Sequence, residues 1–517
     1  MHKTMKFSNI SKGLLAGLAL TAAMSSCSED KMDEINKDLN HTTDVPARLI
    51  LTDVMTSTAF SVVSGDYNLY SGMYVEHETG SHNQFYSAEI RSSCSASSTL
   101  NNSWSGTYTT LKNAKDVIAK CADGGPQEGN YITRGIAEVL AAYNLAVITD
   151  MHGDTPWTEA CDYSSFMTPK IDKQEDIYKD IIAYLDAAIE DLQKTDLVKV
   201  GDQDLIYKGD ASLWLKTAYG LKARYTMRLI ARSSDVNGDM NKVLDYVSKS
   251  YTSAAEQCSF NMYNTGVNMN PFFGVFWSRA GEVASRSMFD KLVERNDPRI
   301  RRCYMEPQSQ TMISSKDDEL LNMADNGNLN QSQLEYTTSM CVAAQTAPTH
   351  ILSYHEVLFL KAEAQARLNQ KDAAKATLKE AVVAAMANME VNVKAAINST
   401  YWGGFKNVTE EVTTEEAAQY FDNSVAPLFD ADPVKEIMLQ KYIAFWNANG
   451  ESTECYNDVR RMRALGKDVY GFRNPGKFPL RMPYGNDDTT NNPNVQEAYG
   501  DGQYVFTENV WWAGGSR

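Results

Sequence analysis

From about residue 46 to 465, stretches in which apolar residues recur every three or four positions alternate with stretches in which they do not. The first kind predicts helices, and the helices fall into pairs. Pro46, suited to a first helical turn with Asp44 as its cap, opens a helix to about Val62. One pair covers about 103–120 and 131–149, where Ile136, Leu140, Tyr143 and Val147 share a face. A second covers about 173–193 and 211–232. Asp172 with Glu175 resembles a capping box ahead of the stripe Ile177, Ile181, Leu185, Ala188 and Leu192, and Asp210 is placed to cap the helix carrying Trp214 and Leu221. A third opens at Ser353 and Glu356 and runs through Val357, Leu360, Ala364 and Leu368; after a short linker, Asp372 caps a helix with Ala374, Leu378, Ala381, Ala385 and Met389. The fourth covers about 434–448 and 454–465. Ala362, Ala374, Leu378 and Ala381 have the small–small–large–small spacing of a tetratricopeptide repeat, in which small residues let paired helices approach closely. The fold class expected is mostly α, an α-solenoid-like scaffold of four tetratricopeptide-like hairpins.

Two long stretches, 64–102 and 251–346, lack that period. They are rich in Ser, Gly, Asn and aromatic residues and are expected to be ordered loop insertions, with one short helix near 285–295. Beyond about 470, Pro475, Pro479, Pro483 and Pro493 predict an irregular segment packed on the scaffold.

The N-terminus follows another logic. Lys3, Lys6 and Lys12 precede an apolar run from Gly13 to Met24, then Ser25-Ser26-Cys27. The run suits a signal peptide and is well short of the ~20 residues a spanning helix needs. Small residues before a lone cysteine resemble a bacterial lipobox, and Ser28-Glu29-Asp30 resembles an acidic surface-export signal. The expected organisation is therefore a signal peptide over 1–26, an acylated Cys27 with a flexible tether over 27–45, and one ligand-binding domain over 46–517. A multiply acylated cysteine anchors almost permanently, since each buried methylene adds ~0.8 kcal/mol. No later stretch is apolar enough to suggest a span.

The 517 residues carry 66 acidic and 49 basic side chains, a net charge of −17. This excess argues against nucleic acid, whose phosphates need clustered Lys and Arg. Cys94, Cys121, Cys161, Cys258, Cys303, Cys341 and Cys455 are scattered with no C-x-x-C pair, which reads as buried small hydrophobes rather than a disulfide framework or zinc site.

Several segments together resemble the SusD/RagB family of nutrient-binding outer-membrane lipoproteins. They are Asp150-Met151-His152-Gly153-Asp154-Thr155-Pro156-Trp157; Gly209-Asp210 ahead of Trp214-Leu215-Lys216; Asn296-Asp297-Pro298-Arg299; Pro348-Thr349-His350-Ile351-Leu352-Ser353 with Ala362-Glu363-Ala364; Gln440-Lys441-Tyr442; Asn457-Asp458-Val459-Arg460-Arg461; and Pro479-Leu480-Arg481-Met482-Pro483-Tyr484. Their order, over about 45–490 behind a lipobox, makes the resemblance specific. It implies a helical fold around four hairpins, a place at the cell surface, and a TonB-dependent (SusC-like) transporter as partner. The implied ligand is an oligosaccharide, or in some members a peptide. It implies no shared catalytic motif, and its ligand residues do not carry over by position.

Loop aromatics are the candidate ligand contacts, because an aromatic face covers the C–H face of a sugar while neighbouring amides and charges satisfy its hydroxyls. The early stretch offers Tyr67, Tyr70, Tyr74 and Trp104. The middle stretch offers Asn270, Phe272, Phe273, Phe276, Trp277 and Arg279. Tyr401-Trp402-Gly403-Gly404 and Trp511-Trp512 are further candidates. For a peptide ligand, Glu76, Glu78 and Glu89 would pair with basic side chains. Glu76-His77-Glu78 with His82, and Asp150, His152 and Asp154, match no metal-ligand spacing, so neither a metal nor another cofactor is expected. No nucleophile elbow, P-loop or dinucleotide fingerprint occurs. A glycosidase would need two carboxylates across a cleft, as Glu415-Glu416 in a polar stretch do not suggest, and the chain is expected not to be an enzyme.

Overall fold

The structure is a computed structural model and describes residues 45–92, 100–446 and 448–517. The expected signal peptide, the lipidation site Cys27, the cap Asp44 and Cys94 lie outside the described residues. The body spanning Ala47–Arg517 is mostly helical.

Among the described residues, nine helices build the scaffold: α1 (Asn101–Cys121), α2 (Tyr131–His152), α3 (Gln174–Asp191), α4 (Ala211–Arg228), α5 (Val236–Ser248), α6 (Tyr354–Arg367), α7 (Lys371–Ile397), α8 (Pro433–Ala444) and α9 (Ser452–Ala464). From α1 to α7 each packs on its successor, α8 sits on α6 and α7, and α9 follows α8. The four expected pairs are α1/α2, α3/α4, α6/α7 and α8/α9. Helix α5, which the sequence reading omits, buries Met240, Val243 and Val247 between α4 and α6. Helix α2 is apolar enough to cross a membrane by composition, yet it is buried in the protein over most of its length.

Capping follows the sequence in two places and departs from it in two. Asp210 accepts from Ser212 N at 2.9 Å and Ser353 from Glu356 N at 3.2 Å. Asp172 does not cap α3, because its carboxylate instead accepts from the backbone N–H of Trp157 and Thr158. Lys173 takes the cap position without a side-chain bond, and Asp172 lies outside the helix. Asp372 falls inside the first turn of α7, whose cap position is Gln370.

The stack is tied by buried ion pairs as well as by apolar packing. Arg224 of α4 grips Glu356 of α6 with both carboxylate oxygens engaged, at 2.7 and 2.6 Å. Arg228, one turn on, reaches Asp150 of α2 at 2.9 Å and Glu454 of α9. Arg461 of α9 holds Glu363 of α6 at 2.6 and 2.8 Å. Such a pair repays its desolvation only when every donor and acceptor is met, and losing one partner strands a charge.

The expected loop 64–102 is largely helical where described. Asp66–Tyr74 and Asn83–Glu89 are helices, and Asp66–Tyr74 docks on α9. The middle insertion carries the helices Pro271–Arg279, Arg286–Glu294 and Arg299–Cys303 and short strands of two or three residues. One of these, Glu282–Ala284, pairs antiparallel with Glu78–Gly80 and joins the middle insertion to the early segment. After α2 the chain turns at Gly153, whose φ of 85° favours glycine; a Cβ there would meet Arg481 Nη1 at 2.8 Å. Asp154 then accepts from Gln174 N at 2.8 Å, fixing the start of α3.

Candidate ligand-binding surface

The helix Pro271–Arg279 forms where the sequence sets it up. Asn270 caps it by accepting from Phe272 N at 2.8 Å, Pro271 fills the first turn, and Ala280 ends it in a left-handed conformation. The Asn270 amide also donates to the carbonyls of Ala347 (2.9 Å) and Ala448 (3.3 Å), pinning the helix to the scaffold. Its apolar face buries Phe272, Phe273 and Phe276. Trp277 faces outward, 45% exposed.

A second segment meets it. Gln345 accepts from Ser399 Oγ at 3.0 Å and Thr400 N at 3.1 Å, which anchors the turn after α7. Tyr401, 48% exposed, then lies 5.1 Å from Trp277 between ring centroids, with Phe273 beneath it at 5.7 Å. Trp402 is buried against Tyr401 (4.9 Å) and Phe276 (5.8 Å). Two exposed rings thus stand side by side on a floor of buried ones, drawn from positions over 120 apart in the chain. Arg279, exposed at the end of the same helix, lies near enough to Asp66 to draw its carboxyl downward. Burial outweighs that pull and the Asn102 hydrogen bond, so the Asp66 carboxyl sits above the usual range. A guanidinium, a carboxyl and an amide from two regions therefore lie close together, and such groups can bind hydroxyls.

The other expected contacts lie in the core. Tyr67, Tyr70 and Tyr74 line the buried face of Asp66–Tyr74, and Tyr67 donates its hydroxyl to His152 Nε2 at 2.8 Å. Trp104 is buried in α1 and donates Nε1–H to Asp488 at 2.6 Å. These rings have no open face for a sugar. Once Asp66–Tyr74 docks as a helix, the spacing of positions 67, 70 and 74 puts the tyrosines on its inward face. Phe272, Phe273 and Phe276 likewise support the surface from below, and Asn270 is fully engaged with backbone. Trp512 is buried, its indole donating to Asp150 at 2.8 Å.

The acids expected to meet a basic peptide are also inside. Glu76, Glu78 and Glu89 are buried, and Glu76 accepts from the backbone of Arg473 and Asn474. His77 and His152 are committed to internal bonds. His77 donates Nε2–H to the Tyr442 carbonyl and accepts from Ser452, and burial pushes both imidazoles down to about 3. Among the described residues no group of three or more His, Cys, Asp or Glu is arranged to hold a metal. Of the described cysteines, five are buried and Cys161 is partly so. A cavity of about 480 Å³ opens elsewhere, between Arg91, Lys477, Tyr499 and Phe506, and includes neither Trp277 nor Tyr401.

A SusD-like family model, described as starch-binding and associating with the outer membrane, matches residues 39–485. The crystal structure of a SusD/RagB family protein from Bacteroides thetaiotaomicron is 51% identical, with a TM-score of 0.88 over 92% of this chain and 100% of its own. A chitin-binding protein, 23% identical, matches with a TM-score of 0.68 over 90% of this chain and 99% of its own. A SusD homologue from Bacteroides fragilis, 20% identical, matches at 0.69 over 92% and 100%. The last two show a shared fold. No curated protein matches the chain.

Proposed function

The chain belongs to the SusD-like family associated with the outer membrane, and from that premise we propose that it is a cell-surface lipoprotein capturing an oligosaccharide for a SusC-like, TonB-dependent transporter. The family is one of binding proteins, and capture without chemistry is the reading adopted for this chain. The observation that carries it is the exposed Trp277–Tyr401 pair, backed by buried rings and flanked by Arg279. Two adjacent aromatic faces suit consecutive sugar rings, and half-exposed rings give the modest affinity that hand-off requires.

The test is calorimetry of the protein against starch-type and chitin-type oligosaccharides and a peptide panel. Heat with a glycan, lost in Trp277→Ala and Tyr401→Ala, supports the reading; heat with peptides alone overturns the sugar assignment. Release of reducing ends from a bound glycan would instead mark a hydrolase. Anchoring through Cys27 is tested apart from ligand. Labelled palmitate should mark the protein and fail to mark Cys27→Ser, and co-purification with an outer-membrane transporter tests the partner.

A further inference from the structure

In the ribbon of Glu78–Gly80 and Glu282–Ala284, Gly80 lies opposite Glu282 and Glu78 opposite Ala284. Glu78 and Glu282 therefore project from one face as diagonal neighbours, a separation long side chains can bridge. Both are buried, at 3% and 1% exposure. Glu78 Oε1 accepts from Ser339 Oγ and from Trp446 Nε1 at 2.9 Å, while Oε2 of Glu78 and Oε2 of Glu282 have no partner among the described residues. Among the described residues no lysine or arginine offsets either carboxyl, and the charge that raises Glu282 is that of Glu78. Two ionised carboxylates cannot persist so placed, because each would sit in a dry site beside a like charge.

We propose that Glu78 and Glu282 share one proton, carried by Glu282 and donated from its Oε2 to Oε2 of Glu78, and that this acid pair latches the helix bearing Trp277 to the early segment. A single proton meets both orphan oxygens and halves the buried charge. Glu78 is the anion because two donors already favour its charged form, support that no described residue is seen to give Glu282. Burial, with the neighbouring Glu78 charge, holds the Glu282 carboxyl well above the usual range, so the proton is kept at neutral pH. Glu282 follows Arg279 by three residues, so opening the ribbon frees the end of the aromatic helix.

The sign follows from proton counts. The closed latch binds a proton that an exposed glutamate releases near 4.5, so opening becomes easier as pH rises above about 4.5. Of the neighbouring groups, His77 is held near 3, and Tyr304 and Cys341 are pushed above their ordinary values. Glu89, on the helix packed against Glu78–Gly80, is pushed to about 7 and accepts from Gly80 N; it is the control.

The experiment combines infrared spectroscopy of protonated carboxyls with deuterium exchange of residues 271–284 between pH 5 and 8, with no ligand added. A wild-type protonated-carboxyl band at pH 7, lost in E282Q, is expected. Opening of 271–284, corrected for intrinsic exchange, should rise by about tenfold per pH unit in the wild type. E282Q, whose amide N–H can replace the O–H donor, should stay slow and lose that slope; E89Q should keep it. The latch is overturned if wild type and E282Q give the same band, if E282Q keeps the wild-type slope, or if E89Q removes it. If E282Q does not fold, E78Q is subject to the same two criteria.

Discussion

Exposure separates the aromatic residues proposed to meet ligand from those that build the core. Trp277→Ala removes a ring already half in water, so the unfolding midpoint should scarcely move while glycan affinity falls by about tenfold, the equivalent of ~1.4 kcal/mol. Trp104→Ala should do the reverse in thermal melts, losing about 3–5 kcal/mol of stability through the cavity it leaves. Charged side chains divide the same way. Glu363 is held well below the usual carboxylate range, against the cost of burial, by Arg461 and Arg367. Glu363→Ala would strand Arg461 in the core and should destabilise by about 3–5 kcal/mol in urea titration, whereas removing Asp176 from its exposed pair with Lys179 should leave the urea midpoint almost unmoved.

At the scale of elements, Asn270 decides whether the aromatic helix stands. Asn270→Ala removes a cap and strands two buried carbonyls, so it should lower stability by about 2 kcal/mol and weaken glycan binding together, read by denaturant melts and calorimetry. That cap was implicit in Asn270-Pro271, and the joining of the helix to Tyr401 was not. The eight paired helices were legible because each holds its apolar period for several turns and depends on neighbours close in sequence. Asp66–Tyr74 was not, because Ser, Gly and Asn interrupt its nine residues, and only docking on α9 makes the tyrosine stripe a helix. The short strands carry no alternation to read, and the partner of Glu78–Gly80 lies some two hundred positions away. Asp172 shows the same limit: its capping pattern was present, but nearer donors took the carboxylate. The meeting of Trp277 with Tyr401 is likewise a tertiary event, set by Gln345 and invisible to any local pattern.

For the molecule as a whole, the buried groups predict a stability maximum on the acid side of neutrality. Glu89 and Glu138 are raised to about 7 and 8, chiefly by burial, so the stability tied to their protons is lost as pH climbs from about 4.5 through 8. His77 and His152, lowered to about 3, act oppositely: the folded state excludes their protons, and stability falls as pH drops below about 6.5. Above 6.5 the histidines no longer contribute, and the raised acids outnumber Lys291, whose buried ammonium is lowered to about 8 and acts the other way, so melting temperature should decline from pH 6.5 to 8 in scanning calorimetry. The stack also has its ends joined. Ser452 N donates to Asn68 at 3.1 Å and His77 bonds Ser452, tying the early segment to α9 almost four hundred residues later. A simple solenoid can be unpeeled from either tip, but here the leading tip is clasped by the trailing one. Pulling on the leading end would therefore load the Asn68–Ser452 clasp first, and the hairpins behind it would be shielded until that clasp gave way.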